Sequence, residues 1–135
     1  KIIQTGKMIC IDTDCIIDFL KEKKEAVNLV NKFKDEIVTT EINVFEVFIG
    51  LYTNDRYLEE EKATTRFFDS IEILERKGWG KKTAEILANL IRRGNIIEEN
   101  DCFIASIMLI NGCNRIITRN KKHFSRINGI EPIGY

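Results

Sequence analysis

Several features that would place this 135-residue chain in a specialised class are scarce or missing. It has a single proline, no internal repeat and no low-complexity tract. Its longest uninterrupted apolar run, IMLI, is far too short to cross a bilayer, and the opening KIIQTGK lacks the apolar core of a signal peptide. We therefore expect a soluble, cytoplasmic protein with no membrane association. We expect one domain over residues 1–135, with 1–7 as an N-terminal extension outside the core.

The chain also lacks an excess of either charge, because Lys+Arg and Asp+Glu both total 21. A neutral protein has no general affinity for nucleic acid, so a polyanionic partner must be held by a local patch or by metal ions. The four cysteines, at 10, 15, 102 and 113, show neither CxxC spacing nor the density of a disulfide scaffold. This pattern favours reduced, mostly buried thiols and argues against a zinc site.

Short, β-branched apolar runs alternate with longer helical patterns along the chain. The runs predict strands at 8–11, 36–40, 71–74, 115–118 and 130–133. Helical apolar spacing recurs around Ala26–Phe33 and Ala84–Ile91, and residues 101–110 predict a central buried helix that stops at Asn111-Gly112. Strands separated by helices predict an α/β fold with a mostly parallel sheet covered by helices on both faces.

Four polar residues are predicted to converge at one edge of this sheet, beyond the carboxyl ends of the strands, where such folds bind ligands. Asp12 closes the first strand, and Asn120 follows the fourth by two residues. Asp101 opens the central helix, and Glu46 lies one to two turns into the helix after the second strand.

Glu46 is the most informative of the four. In INVFEVFIGLY, residues 42–52, Asn43, Glu46 and Gly50 form one narrow stripe on a helix that is otherwise apolar all round. A carboxylate in that setting must face water, pair with a cation or change its protonation state. Metal coordination satisfies this requirement, and so does a stripe that simply faces solvent.

Asp101 and Asp12 also have structural interpretations. Asn100 and Asp101 stand where a helix cap and a first-turn acid are favoured. Asp12 is a candidate cap for the helix through CIIDFL, a role that Thr13 or Asp14 could share. One cap is enough for that helix, so one aspartate remains to be explained.

Three carboxylates and an amide at one edge suit a hard divalent cation such as Mg²⁺, which takes oxygen ligands and would supply the positive charge that the chain lacks. The stretch TRNKKHFSR is interpreted either as a segment that binds the backbone phosphates of a nucleic acid or as an ordinary basic loop. Within it, His123 is interpreted as a surface or packing residue and Phe124 as core. The candidate phosphate-binding residues are Arg119, Lys121, Lys122 and Arg126.

Four segments in this order resemble the PIN-domain ribonucleases, in particular the VapC-type toxins of toxin–antitoxin pairs. They are ICIDTDCIIDFL, VTTEINVFEVFIGL, IEENDCFIASIMLINGCNRIITRNKKHF and the closing INGIEPI. The resemblance runs from about Met8 to Ile133. It implies a three-layer α/β/α sandwich, a pocket for Mg²⁺ or Mn²⁺, hydrolysis of RNA phosphodiester bonds, a homodimer, and inhibition by a small antitoxin protein.

The resemblance also assigns roles to individual residues. The family's three acids, which hold the metal, match Asp12, Glu46 and Asp101. Its fourth catalytic position matches Asn120, accompanied by the Thr118 hydroxyl. Many members carry aspartate at the fourth position, so one negative charge is missing here. The remaining candidate pocket residues are Thr13 and Asp14.

Our leading hypothesis is a metal-dependent endoribonuclease that hydrolyses RNA through metal-activated water and acts as the toxin of a toxin–antitoxin module. One alternative is a haloacid-dehalogenase-type phosphatase, with Asp12 as nucleophile and Asp14 as general acid. Ile16, where that family wants Thr or Val, argues against it, and so does the lone late acid Asp101. Another alternative is a catalytically silent PIN-like module that binds RNA or protein.

The apolar helix over 42–52 bears on assembly as well. A helix that is apolar on nearly every side must bury more than one face. In a small domain, a second copy of the chain can bury the face that the core does not. The sequence therefore predicts a homodimer.

Overall fold

The computed structural model describes residues 7–55, 57–75 and 77–135. Apart from Lys7, the predicted N-terminal extension lies outside these residues. The strands of the described ranges are β1 (Ile9–Ile11), β2 (Ile37–Thr40), β3 (Glu72–Leu74), β4 (Arg115–Ile117) and β5 (Glu131–Ile133). The helices are α1 (Thr13–Leu20), α2 (Lys24–Lys32), α3 (Glu41–Tyr52), α4 (Tyr57–Asp69), α5 (Trp79–Arg93), α6 (Glu99–Ile110) and α7 (Lys121–Phe124).

The five strands form one parallel sheet in the order β3-β2-β1-β4-β5. Cys10 of β1 pairs with Val38 of β2 on one side and with Ile116 of β4 on the other. The chain builds the sheet outwards from β1 through β2 to β3 and then returns to the other side of β1 with β4. The order therefore reverses between β1 and β4, which is where open parallel sheets bind ligands.

Both faces of the sheet are buried under helices, as the continuous apolar strands predict. Cys10, Val38 and Ile116 point into a core shared with α5, α6 and α7. Residues on the opposite faces of the same strands, such as Ile9 and Ile117, point into a second core with α1, α2 and α4. The predicted α/β/α sandwich with a parallel sheet is confirmed.

Helix α3 lies at the edge of this sandwich and touches both cores. Ile42 packs against the core beside α6, whereas Val47 belongs to the core beside α1. A third face remains exposed, with Phe45, Ile49 and Tyr52 each about half accessible to solvent. Two faces of α3 are buried in different cores and the third is an exposed apolar surface, which explains why the sequence of this helix is apolar nearly all round.

The predicted central helix is also confirmed. Seven residues of α6 are buried, and Gly112 takes a left-handed conformation directly after the capping Asn111. All four cysteines are free and buried, and Phe124 is fully buried. Within the described ranges, no helix combines the length and apolarity needed to cross a bilayer.

The buried Asp18 of α1 binds residues that hold the segment after β5 against this helix. Asp18 is 4% exposed, and it accepts hydrogen bonds from the Tyr135 hydroxyl at 2.8 Å and from the Arg119 guanidinium. The Lys23 ammonium lies 3.4 Å away, and the Arg119 guanidinium also lies over the Tyr135 ring. Burial raises the pKa of Asp18, but the bonds from Arg119 and Tyr135 outweigh it and lower the pKa overall.

Asp18→Asn should destabilise the protein by about 1–2 kcal/mol at neutral pH, because a charge-assisted bond to the half-exposed Arg119 is lost. A lowered pKa gives stability that is present above the ordinary aspartate pKa and is lost as the pH falls through the lowered value. The difference from wild type should therefore shrink in acid. Urea unfolding across pH measures this, with the exposed Glu75→Gln as control. A difference that stays constant down to pH about 2 would contradict the assignment.

Candidate functional site

The buried carboxylate of Asp12 lies where the strand order reverses. Asp12 follows β1 directly, is 4% exposed and is the N-terminal cap of α1. Its Oδ2 accepts a hydrogen bond from the Thr118 hydroxyl at 2.7 Å, and its Oδ1 accepts one from the Thr13 amide at 2.8 Å. Asp12 therefore caps α1 with one oxygen and accepts from Thr118 with the other, so the predicted cap is confirmed and its functional role stays a prediction.

The charge of Asp12 is poorly compensated. Burial raises its pKa to about 6, against the opposing effect of the bonds from Thr118 and Thr13. The charges of Asp101 and Glu46 raise it further, so all three carboxylates lie within electrostatic reach of one another. Among the described residues, no cationic side chain forms an ion pair with Asp12.

Asn43 connects Asp12 to α3. The Asn43 side chain is fully buried, and its Nδ2 donates to Asp12 Oδ1 at 3.2 Å and to the Thr13 hydroxyl oxygen at 3.1 Å. Its Oδ1 accepts from the Thr40 hydroxyl at 2.7 Å, while the Thr40 oxygen caps α3 by accepting from the Asn43 amide. The sequence placed Asn43 in the polar stripe but gave it no role, whereas the structure makes it the link that orients Asp12.

Glu46 lies one turn further along α3 and is half-buried. Its Oε1 accepts from the Thr13 hydroxyl at 2.6 Å, and its Oε2 accepts from Asn100 Nδ2 at 3.1 Å. At Asn43 and Glu46 the polar stripe of α3 therefore faces the site rather than solvent, and only Gly50 is exposed. The solvent-facing interpretation of the stripe is wrong for these two positions.

Asp101 approaches from the first turn of α6 and is 5% exposed. Burial raises its pKa, and the adjacent imidazole of His123 opposes that rise. The Nδ1 atom of His123 lies 3.0 Å from Asp101 Oδ2. The prediction that His123 is only a surface or packing residue therefore missed its contact with the site. The available signal was its position one turn of α7 after Asn120.

The prediction that Asn100 and Asp101 form the helix cap and first-turn acid is half right. The cap of α6 is Glu98, two residues earlier than Asn100, and Asp101 does lie in the first turn. Because Asn100 is not needed as a cap, its amide is available to bind Glu46.

Thr118 and Asn120 close the β4 side of the site. The Thr118 hydroxyl is fully buried, donates to Asp12 and accepts from the Asn120 main-chain amide at 2.8 Å. Within the described part of the chain, neither the Asn120 side chain nor Asp14 takes part in this hydrogen-bond network. Asp14 lies half-buried in the first turn of α1.

The four predicted phosphate-binding residues differ in their contacts. Arg119 pairs with Asp18, so its charge is already compensated. Arg126 donates from Nη1 to the Ile96 carbonyl at 3.2 Å, a neutral partner. Lys121 and Lys122 are exposed at the start of α7.

The donor set suits a hard divalent cation. Within the described ranges, no three His, Cys, Asp or Glu side chains form a ready-made metal cluster. Mg²⁺, however, needs only one or two carboxylates with water completing its shell. The buried Asp12 carboxylate, near Asp101 and Glu46 and without a cation of its own, provides the oxygen donors and the uncompensated charge that such an ion requires.

Without metal, the wild-type protein should lose stability as the pH rises. The pKa of Asp12 in the folded protein is about 6, above its ordinary value, so the folded state holds this proton more tightly than the unfolded chain. This stability is fully present below about pH 4 and is lost as the pH rises through about 6. Asp12→Asn should remove the part of that dependence that comes from Asp12, leaving the smaller part from Asp101, and should stabilise the metal-free protein at neutral pH by up to about 2 kcal/mol.

Chemical unfolding in a chelator, from about pH 4 to about pH 8, measures the effect. The exposed-site variant Glu75→Gln should keep the wild-type profile. An Asp12→Asn profile parallel to wild type would show that Asp12 does not hold this proton.

Comparisons with known proteins identify the family and the fold. The family model for the PIN domain matches residues 9–130. No curated protein matches the chain in sequence. Among solved structures, a chain of VapBC2 from Rickettsia felis, crystallised with a fragment of promoter DNA, superposes with a TM-score of 0.85. It is 20% identical, and the match covers 95% of this chain and 98% of that one.

Two further structures have the same fold. A chain of DNA-bound VapBC from Salmonella typhimurium gives a TM-score of 0.83 at 22% identity, covering 94% of this chain and 97% of that one. VapBC-5 from Mycobacterium tuberculosis, a member of a toxin–antitoxin family, gives 0.73 at 19% identity, covering 96% and 100%.

Proposed function

This chain belongs to the PIN domain family, and from that membership we propose that it is a metal-dependent endoribonuclease, the toxin of a toxin–antitoxin pair. The observation that carries the proposal is the Asp12 carboxylate, buried near Asp101 and Glu46 without a compensating cation. The structural likeness to VapBC proteins supports the toxin assignment.

In this proposal, Asp12, Asp101 and Glu46 hold Mg²⁺ or Mn²⁺, directly or through water. When bound, the ion activates a water molecule and neutralises charge that develops on the phosphodiester. The other residues keep the carboxylates in place. Thr118 and Asn43 hold the two oxygens of Asp12, Thr13 and Asn100 hold those of Glu46, and His123 contacts Asp101.

Asn120 contributes its main-chain amide to Thr118, and we propose that its side chain shapes the pocket together with that hydroxyl. Where an aspartate would add a fourth negative charge, asparagine adds none. A site with fewer negative charges is suited to one ion rather than two. The same substitution is the observation that favours a catalytically silent PIN-like module as the second candidate.

RNA cleavage distinguishes these candidates. Wild-type protein should cleave RNA with Mg²⁺ or Mn²⁺ and stop in excess chelator. Asp12→Asn and Asp101→Asn should each lower kcat/KM by about 100-fold or more, because each removes a proposed metal ligand. The exposed-site variant Glu75→Gln should cleave like wild type. Manganese calorimetry should show weakened binding by both site variants.

Equal cleavage by wild type and Asp12→Asn would overturn the nuclease assignment. Wild-type protein that binds RNA but neither Mn²⁺ nor Mg²⁺ would favour the silent module. A phosphoryl group trapped on Asp12 would favour the phosphatase alternative.

We also propose that the protein is a homodimer through the exposed face of α3. Phe45, Ile49 and Tyr52 follow one another at helical spacing and are 60%, 49% and 51% exposed. Clustered apolar side chains on a soluble domain mark an interaction surface. This face and the site lie on different sides of one helix, because the consecutive side chains of Phe45 and Glu46 point about 100° apart.

Phe45→Ser with Ile49→Ser should convert the dimer into a monomer, since the change removes the apolar area of that face. Light scattering at micromolar concentration measures the mass, with 15.7 kDa for a monomer. Ile96→Ser, at an exposed isoleucine between α5 and α6, should leave the dimer intact. A wild-type protein that is already monomeric would refute the dimer.

The proposed antitoxin has a suitable groove beside the acidic site. A groove of about 550 Å³ lies between α1, α3 and α4. Its lining includes the apolar Ile17, Val47 and Leu51 and the charged Lys21, Glu59 and Glu60. Its lining includes Gly50, which lies one turn after Glu46 on the same face of α3. An amphipathic segment with apolar and basic residues fits this surface, and an arginine at its end would reach the carboxylates.

A further inference from the structure

The acidic edge needs a separate source of affinity for RNA. Asp12, Glu46 and Asp101 repel phosphates until a metal is bound, and Arg119 is already paired with Asp18. We propose that a groove along α5 is a second RNA-binding surface, which holds the backbone of the strand on one side of the cleavage site. This inference rests on the proposed function and deepens it.

The α5 groove lies between α5, the end of α6 and the segment after α7, with a volume of about 640 Å³. Lys81, Lys82, Arg92 and Arg93 line it, against the single carboxylate of Glu85 among the lining residues. Leu109 and Ile127 contribute apolar surface. Cations beside an apolar floor suit a nucleic acid strand, because the phosphates bind the cations while sugars and bases cover the floor.

The contacts of Arg93 show how one cation of the groove is held. Arg93 donates from Nε to Asn89 Oδ1 at 2.8 Å and from Nη2 to the Arg126 carbonyl at 2.6 Å. Both partners are neutral, so these bonds position the guanidinium without cancelling its charge. In the described part of the chain, no carboxylate forms an ion pair with any of the four cations of the groove.

The groove connects to the acidic edge through two elements. Leu109 lies eight residues after Asp101 on α6, which places it about 12 Å further along the helix axis. Arg93 is bonded to Arg126, which follows α7, and α7 carries both His123 at the site and the exposed Lys121 and Lys122. A single strand can therefore cross α7 and occupy both places.

Charge favours RNA over an acidic protein segment as the occupant. Next to α7, Arg126 is bonded to Arg93 of the groove, and α7 itself carries the exposed cations Lys121 and Lys122 and the site residue His123. A strand already in the site supplies a phosphate at every nucleotide. A protein segment bound only in the groove would not contact the lysines of α7.

Two paired substitutions test the groove. One is Lys81→Gln with Lys82→Gln, whose side chains make no hydrogen bond to any described residue, and the other is Arg92→Gln with Arg93→Gln. The matched control is Lys24→Gln with Lys34→Gln, on the other side of the sheet. Fluorescence anisotropy with a labelled single-stranded RNA of about 20 nucleotides, in chelator to prevent cleavage, gives affinity across salt concentrations.

Each α5 pair should weaken binding about tenfold, and the slope of log affinity against log salt should fall by about 0.7 for each phosphate contact removed. The control pair should bind like wild type. In Mg²⁺ or Mn²⁺, kcat/KM for the long RNA should fall by the same factor. The kcat for a trinucleotide, too short to reach the groove, should not change.

Wild-type affinity and salt slope in both α5 pairs would overturn the inference, and continued cleavage would leave the nuclease proposal standing. A change of mass in light scattering without a change in RNA affinity would also overturn it, since the groove would then bind a second copy. Wild-type protein that cleaves no RNA would refute the nuclease, while RNA binding lost in the α5 pairs would still support the groove.

Discussion

The burial of one carboxylate at the point where the sheet reverses its strand order is the constraint on which the rest of this structure depends. An aspartate 4% exposed is costly, and its raised pKa, about 6, expresses that cost. The fold stabilises the carboxylate with hydrogen bonds from β4, from α3 and from the first turn of α1. None of these donors carries a charge, so the carboxylate is held in place but not neutralised.

Although the net charge of the chain is zero, the fold separates acidic from basic side chains. Acids gather at the carboxyl edge of the sheet, whereas α5 and α7 carry cations that form no ion pair with any carboxylate of the described residues. The one arginine next to Thr118 is paired with Asp18, which also receives the Tyr135 hydroxyl. This pairing stabilises the end of the chain against α1, and it keeps the Arg119 charge from compensating Asp12.

Helix α3 joins the candidate site, the two cores and an exposed apolar surface. One face carries Asn43 and Glu46 into the site, a second packs into the cores, and a third exposes Phe45, Ile49 and Tyr52. A substitution on one face therefore affects the position of the others. A partner bound at the exposed Phe45 would be coupled to Glu46 by this arrangement, because both residues belong to one helix.

The sequence by itself determined the five strands, the buried helix α6 and the carboxylates at the sheet edge. Buried parallel strands must be apolar throughout, and the carboxyl ends of such strands share one edge, so local patterns are sufficient. Only the tertiary structure decided which side chains meet. His123 contacts Asp101 across 22 residues, Asn100 contacts Glu46 across 54, and Arg119 contacts Asp18 across 101. These pairings depend on how each helix is rotated and packed against its neighbours, which periodicity along the chain does not encode.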